Sequence, residues 1–212
     1  VSHDFQSPLM NIQGYADLLK TVEGEEERIE YAEVIERETK RLSNLTKQLL
    51  LLTSLDQEAY PLKVTDYSLD EQLKAVIRKY RWRMDEVGIE LSYKIPAATI
   101  RADEELLENV WENLLTNAIK YNREDGTIGI TLEQDGKTRV IISDTGTGIP
   151  EDEMSQVFDK FYRVDDSRTK EGTGLGLSIV RQIISLHGGE VAIESELGKG
   201  TRFIITLPSK EN

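Results

Sequence analysis

Apolar residues recur at three- and four-residue intervals through the first 57 positions of the chain. Leu9, Ile12, Ala16 and Leu19 are spaced three, four and three apart; after a polar stretch over 21–27 the spacing resumes at Ile29, Ala32, Ile35, Leu42, Leu45, Leu49, Leu52 and Leu55. That period predicts two helices, each with one apolar stripe. The polar stretch is short enough to reverse the chain, so the expected element is an antiparallel hairpin. Two helices enclose little core, and a hairpin this rich in Leu is expected to dimerise into a four-helix bundle. A lone coiled coil, or a hairpin packed on its own second domain, is the alternative.

Pro61 marks a change of pattern. Ser68-Leu69-Asp70-Glu71 reads as a capping box that opens a helix running to about Val87, with Gly88 as its stop. A second helix is predicted from about Asp103 to Tyr121. Alternating segments at 127–133 and 138–143 flank Asp135-Gly136, a strong hairpin signal. A third helix follows Gly174, and segments 190–195 and 201–207 form another strand pair. Three helices and about five or more strands predict helices layered on one face of a mixed sheet. The fold class is therefore α plus α/β: a helical hairpin over 1–57, then an α/β sandwich over 61–212, with the link at 56–61 as the expected hinge.

Composition narrows the function. The chain has 212 residues, 38 % of them hydrophobic and 31 % charged, an ordinary balance for a globular protein. No run approaches the roughly 20 apolar residues of a membrane span, and the start does not resemble a signal peptide. It opens mid-pattern at Val1-Ser2-His3 without an initiator Met, as a fragment would. The absence of Cys removes disulfides and thiolate metal sites and suits a reducing compartment. A net charge of −13 argues against nucleic acid as a partner, because phosphate backbones attract clustered Lys and Arg. Nucleotides need only local positive charge.

The second half carries candidate chemistry. Asn113, Asn117 and Lys120 lie four and three apart on one helical face, with Val110, Leu114 and Ala118 on another. Asn is a poor residue for a helix interior. A carboxamide oxygen is a hard neutral ligand suited to Mg²⁺; a pair of solvated or capping amides is the plain alternative. Asp144-Thr145-Gly146-Thr147-Gly148 ends a predicted strand, as a tight loop or as a place where backbone approaches a ligand. Gly172-Thr173-Gly174-Leu175-Gly176 opens a helix, where free N–H groups and the helix dipole suit phosphate. Between them, Phe158-Asp159-Lys160-Phe161-Tyr162-Arg163 leads into a polar run over 164–171 holding Arg168 and Lys170. That run reads as a mobile lid or as a surface loop.

In this order, Asn-x-x-x-Asn, D-x-G-x-G, F-x-x-F, G-x-G-x-G and Gly198-Lys199-Gly200-Thr201 resemble the ATP-binding domain shared by histidine kinases, DNA gyrase and the MutL repair proteins. Ser2-His3-Asp4-Phe5-Gln6-Ser7-Pro8 resembles the phosphoacceptor box of histidine kinases. The resemblance spans essentially the whole chain. It implies ATP-dependent autophosphorylation on His3, then transfer to an Asp in the receiver domain of a response regulator. It also implies a homodimer and a cytoplasmic domain whose full-length protein reaches the cell membrane through segments not in this sequence. By position, Asn117 is the implied Mg²⁺ ligand, with Asn113 near the metal and triphosphate and Lys120 and Tyr121 facing phosphates and nucleotide. Asp144 would take the adenine amino group, with Gly146 and Gly148 shaping that end. Arg163, and Arg168 or Lys170, would contact phosphates. Gly172, Thr173, Gly174, Leu175 and Gly176 would close over them, and Thr201 belongs to the same pocket.

Other members of this ATPase superfamily use a Glu four residues before the metal-binding Asn to activate water. Asn113 stands there, and a neutral amide is no general base. The nearest carboxylate, Glu112, is rotated about 100° around the helix. His3 falls one step off the apolar stripe extended back through Phe5 and Ser2, and neutral imidazole is a competent nucleophile near neutral pH. Asp4 would orient the ring or take its proton. Pro8 removes the N–H that would bond the Asp4 carbonyl, predicting a bend. The family's box commonly reads His-Glu-Leu-Arg-Thr-Pro. Ser7 keeps a hydroxyl where Thr or Asn orients water in members with phosphatase activity, which leaves that activity open. His187, before Gly188-Gly189, is expected to cap a helix end. A protein-serine kinase or hydrolase on the same ATP domain, and a nucleotide-sensing scaffold without chemistry, are the competing functions.

Overall fold

A computed structural model of the chain describes residues 2–57, 60–164 and 172–208; the side chains of Ser2 and His3 lie outside that description. Two compact units divide the chain, Val1–Ser54 and Leu55–Asn212.

The first unit is a hairpin of α1 (Ser2–Leu18) and α2 (Glu25–Leu55). The reversal is shorter than expected, because Glu25, Glu26 and Glu27 form the first turn of α2, where carboxylates meet the positive end of the helix dipole. Tyr15 and Tyr31 meet across the hairpin with ring centroids 5.5 Å apart. Burial within one hairpin covers part of the apolar stripe. Pro8 is buried inside α1, whereas Leu9 is 50 % exposed and Ile29 55 % exposed, and Ala32 is also exposed. Phe5 and Ile12 of the expected stripe are half-buried, with Pro8 buried between them, and the exposed Leu9 and Ile29 are the part of the stripe that a single hairpin leaves open. On α2 the buried line runs Glu38, Leu45 and Leu52, at seven-residue intervals.

The second unit opens with β1 (Val64–Ser68), α3 (Leu69–Glu86), β2 (Glu90–Lys94) and β3 (Thr99–Asp103). It continues through α4 (Glu104–Lys120), β4 (Thr127–Asp135), β5 (Lys137–Asp144), α5 (Gly176–Leu186), β6 (Glu190–Glu196) and β7 (Gly200–Leu207). Five strands form a mixed sheet in the order β2-β4-β5-β7-β6, and β1 pairs with β3 separately. Among the described strands, only β2 runs parallel to its neighbour β4. The register places Ile130 beside Ile142 and Ile142 beside Phe203, with Leu132, Val140 and Ile205 in the next row. These residues are buried on one sheet face. Val110, Trp111, Leu114 and Leu115 of α4 and Ile179, Val180, Ile183 and Ile184 of α5 are buried as well, and α4 packs against both α3 and α5. This is the expected α/β sandwich.

Ser68 does precede the first residue of α3, but its side chain makes no capping bond. Asp70 is engaged instead: its carboxylate accepts from the Ala98 N–H at 3.1 Å and from Lys74 Nζ at 2.9 Å. A true side-chain cap occurs at α4, where Asp103 accepts from the Leu106 N–H. β1, β2 and β3 are strands too short and too polar to show alternation in the sequence.

Candidate nucleotide-binding site and phosphoacceptor helix

The last turns of α4 carry Asn113, Asn117, Lys120 and Tyr121, all half-buried. The Asn113 amide nitrogen donates to the Asn109 carbonyl at 2.7 Å, which fixes the orientation of the side-chain amide. The Asn113 Oδ1 then points at the start of α5, where a Cβ at Gly176 would lie only 2.6 Å away. Lys120 Nζ donates to the Tyr121 hydroxyl at 2.9 Å and lies 4.5 Å over that ring. A Cβ at Gly172 would sit 2.5 Å from the same ammonium. Gly172 and Gly176, far from α4 in sequence, are therefore where the backbone makes room for the polar face of α4.

The opposite wall is the loop after β5. Thr147 N–H donates to the Tyr121 carbonyl at 3.0 Å, and a Cβ at Gly146 would overlap that carbonyl, so only glycine lets the loop wrap the end of α4. Asp144 is half-buried, and its Oδ1 accepts two backbone N–H bonds, from Gly146 at 2.8 Å and Thr201 at 3.3 Å. Burial pushes the Asp144 carboxyl above the ordinary carboxylate range, with these two bonds opposing the shift. Gly148 approaches the Glu196 backbone just as closely. The bond from the Thr201 N–H to the Asp144 carboxylate joins two residues that the family resemblance alone had grouped.

The start of α5 is open in the sense that matters for anions. Leu175, at its N-cap, offers no side-chain bond, and no acidic residue stands in the first turn, so the free N–H groups and positive dipole end are not neutralised from within. Thr173 Oγ1 accepts from the Leu175 N–H at 3.3 Å. The aromatic motif before the polar run is tied to this end: Phe161 N–H donates to the Gly174 carbonyl at 2.9 Å. Both residues have positive φ, 67° for Phe161 and 70° for Gly174. That conformation is strained for a Phe and costs on the order of 1–3 kcal/mol. Phe158 packs edge-on to Phe203 at 6.4 Å. Arg163 is half-buried on the same segment. Arg168 and Lys170, and the polar run read as a lid, lie outside the described residues.

The structure thus brings Asn113, Lys120, Tyr121, Gly146, Gly172 and Gly176 together, with Asp144 and Thr201 at one end. Among the described residues, no three His, Asp or Glu side chains gather as a metal-binding group; Asn117, one turn from Asn113 on the polar face of α4, offers an amide oxygen instead. His3, Asp4 and Ser7 all belong to α1 in the first unit. Asp4 and Ser7 are half-buried. His187 follows α5 and does more than close it. Its Nδ1 bonds the Ile183 carbonyl at 2.8 Å, and its Nε2 accepts from the Asp103 N–H at 3.1 Å, so both ring nitrogens are engaged in one tautomer.

A helical hairpin followed by a mixed-sheet domain whose Asn-bearing helix faces two glycine loops defines a class of ATP-binding signalling protein. Residues 102–211 match the family described as histidine kinase-, DNA gyrase B- and HSP90-like ATPase, and residues 1–58 match the His Kinase A (phospho-acceptor) domain. The chain belongs to the sensor histidine kinases. It is 36 % identical over its whole length to the sensor protein SrrB of Staphylococcus aureus, and spans 37 % of that relative. It covers somewhat over a third of the curated relatives it matches. Among solved structures it resembles full-length ShkA in complex with AMPPNP, with a TM-score of 0.77 and 30 % identity over 100 % of this chain and 45 % of that one. It also resembles the histidine kinase ThkA, solved in complex with the response regulator protein TrrA, with a TM-score of 0.81 and 26 % identity over 99 % of this chain and 60 % of that one.

Proposed function

We propose that this chain transfers the γ-phosphoryl group of ATP to the imidazole of its own His3, and then passes it to an Asp in the receiver domain of a response regulator. The bond from the γ-phosphorus to the ADP oxygen breaks, a phosphorus–nitrogen bond forms, and the imidazole gives up its N–H proton, for which Asp4 is the adjacent acceptor. The observation that carries this reading is the convergence of Asn113 and Lys120 on Gly176 and Gly172 at the uncapped start of α5. That is a cradle for a triphosphate, with a half-buried carboxylate at the far end for a base amino group.

In this reading Asn117 would hold Mg²⁺ through its amide oxygen, and a bound ion would supply charge neutralisation at the triphosphate. Lys120, Arg163 and the N–H groups from Thr173 to Gly176 bind phosphate oxygens, while Tyr121, Gly148 and Thr201 line the nucleoside end around Asp144. His3 is the acceptor for a reason beyond its motif. The chain has two His, and both nitrogens of His187 are committed to backbone partners. Asn113 in place of a carboxylate leaves water without a base in the cradle, so the phosphoryl group waits for the better nucleophile.

The domains are assigned as 1–57 for dimerisation and phosphoacceptance and 61–212 for ATP binding. The working form is a homodimer: Met10 is 71 % exposed and Leu18 47 % exposed, with Leu9, Ile29 and Leu50 also exposed on the hairpin, an apolar excess that a second copy would cover. None of the helices is long and apolar enough to cross a membrane among the described residues, and the full-length sensor is assigned to the cell membrane through other segments. Incubation with γ-labelled ATP and Mg²⁺ tests the chemistry. The label should be lost in acid and kept in alkali, as a phosphoramidate is; an acid-stable label would mark a hydroxyl acceptor and overturn the reading.

A further inference from the structure

A carboxylate can serve either purine. Adenine presents one amino donor beside a ring acceptor, whereas guanine presents a ring N–H and an amino group side by side, two donors that match the two carboxylate oxygens. Asp144 therefore favours adenine through where it stands, not through its charge alone. Its position matters relative to the phosphate cradle, and the two lie in different layers of the fold. Asp144 ends β5 of the sheet, whereas Lys120 ends α4 and Tyr121 caps it. Whatever ties the loop after β5 to the end of α4 fixes the distance between them.

Two polar side chains to which the nucleotide reading gives no role make that tie. Asn122 opens the connection from α4 to β4, Thr145 follows Asp144, and both are half-buried. Asn122 Nδ2 donates to the Thr127 carbonyl at 3.1 Å, and its Oδ1 accepts the Arg123 N–H at 3.0 Å. These partners fix the orientation of the amide, since the flipped group would set donor against donor and acceptor against acceptor. Thr145 Oγ1 accepts the Thr127 N–H at 2.8 Å, which leaves its own hydrogen to donate to Asn122 Oδ1 at 3.3 Å. The ring closes at Thr127, whose carbonyl also accepts the Thr145 N–H at 3.2 Å. A Cβ at Gly126 would overlap Asn122 Oδ1, so the glycine makes room for the amide. Thr145 stands between Asp144 and Gly146, and the Gly146 N–H holds Asp144 Oδ1. A shift of Thr145 therefore passes directly to the carboxylate.

We propose that Asn122 and Thr145 are positioning residues for nucleotide recognition: their hydrogen-bonded ring holds Asp144 where it meets an adenine amino group and denies guanine its paired contact. The selectivity rests on the ATP-binding reading above; the restraint of the loop does not.

The test uses the whole chain as parent, Thr145→Val, Thr145→Ser and Asn122→Asp. Titration calorimetry with ADP and with GDP measures selectivity, and amide hydrogen exchange without nucleotide measures the loop. In Thr145→Val, exchange at 145–147 should quicken and the Kd for ADP should rise about tenfold, the range one lost hydrogen bond sustains. The Kd for GDP should stay level or fall, so the preference for ADP drops by about the same factor. Thr145→Ser keeps the hydroxyl and should stay within about twofold of the parent for both nucleotides. Asn122→Asp sets an oxygen against the Thr127 carbonyl and should behave as Thr145→Val does. Equal weakening of ADP and GDP would overturn the selectivity, because a merely structural role leaves the ratio alone. A Thr145→Ser chain as impaired as Thr145→Val, or unchanged exchange at 145–147 in Thr145→Val, would overturn the ring. A parent that binds neither nucleotide would overturn the ATP reading and the selectivity with it, while exchange still decides whether the ring holds the loop.

Discussion

Replacing Asp144 with Asn separates the binding role of that residue from its structural one. Its Oδ1 holds the Gly146 and Thr201 N–H groups, and an Asn oxygen in the same place keeps both bonds. What changes is the other atom of the group, which becomes an NH₂ facing a nucleotide amino group, donor against donor. The loss should be about 1–3 kcal/mol of nucleotide affinity, or roughly 5- to 150-fold in Kd. Stability should move the other way. Burial raises the Asp144 pKa in the folded protein, so its contribution is full below the unfolded carboxylate pKa and is lost as pH rises through the folded value. At neutral pH the ionised group therefore costs stability, and Asn removes that cost. Titration calorimetry with ADP and a thermal melt without nucleotide, both at neutral pH, read the two effects. Weakened binding with an equal or higher Tm is expected. Intact binding would refute the base contact; a Tm lowered by several degrees would show that the carboxylate holds the loop together and that binding fails for that reason.

Three further outcomes follow from the same geometry. Gly146→Ala should destabilise the second unit by about 1–3 kcal/mol, since its Cβ overlaps the Tyr121 carbonyl; urea unfolding with an unchanged midpoint would contradict the close packing. His187→Leu leaves the Asp103 N–H and Ile183 carbonyl without their ring partners, and should cost about 1–3 kcal/mol in the same assay without abolishing label from ATP. Leu9→Lys with Ile29→Lys places charges at positions exposed on a single hairpin, so the helical signal should persist while sedimentation at micromolar concentration shifts from dimer to monomer. A parent chain already monomeric there would refute the dimer.

Much of the second unit was legible because its chemistry is local. The Asn113–Asn117–Lys120 face, the two glycine motifs and the Asp135-Gly136 turn each declare a backbone geometry within a few residues. Contacts between distant segments were not legible. The Thr201 N–H on Asp144 and the Asp103 N–H on His187 join residues with no shared pattern. On α1 the residue buried within one hairpin is Pro8, which does not look like a core residue, rather than Leu9, which does. On α2 the same bias passed over Glu38, which is only 8 % exposed, since a carboxylate does not mark a seam. Ser68 carried the signature of a cap but makes no side-chain cap bond, and Asp70 beside it bonds Ala98, 28 residues on, a contact that no local motif encodes. The order of the motifs, rather than any one of them, pointed to the family.

The most direct measurement of the central claim is the location of the phosphoryl group. After reaction with ATP and Mg²⁺, the parent chain, His3→Gln and His187→Gln are digested and mapped by mass spectrometry under alkaline conditions. The account predicts one phosphorylated peptide containing His3 in the parent and in His187→Gln, and none in His3→Gln. Phosphorylation that persists in His3→Gln, at any residue and to the parent's extent, would contradict it.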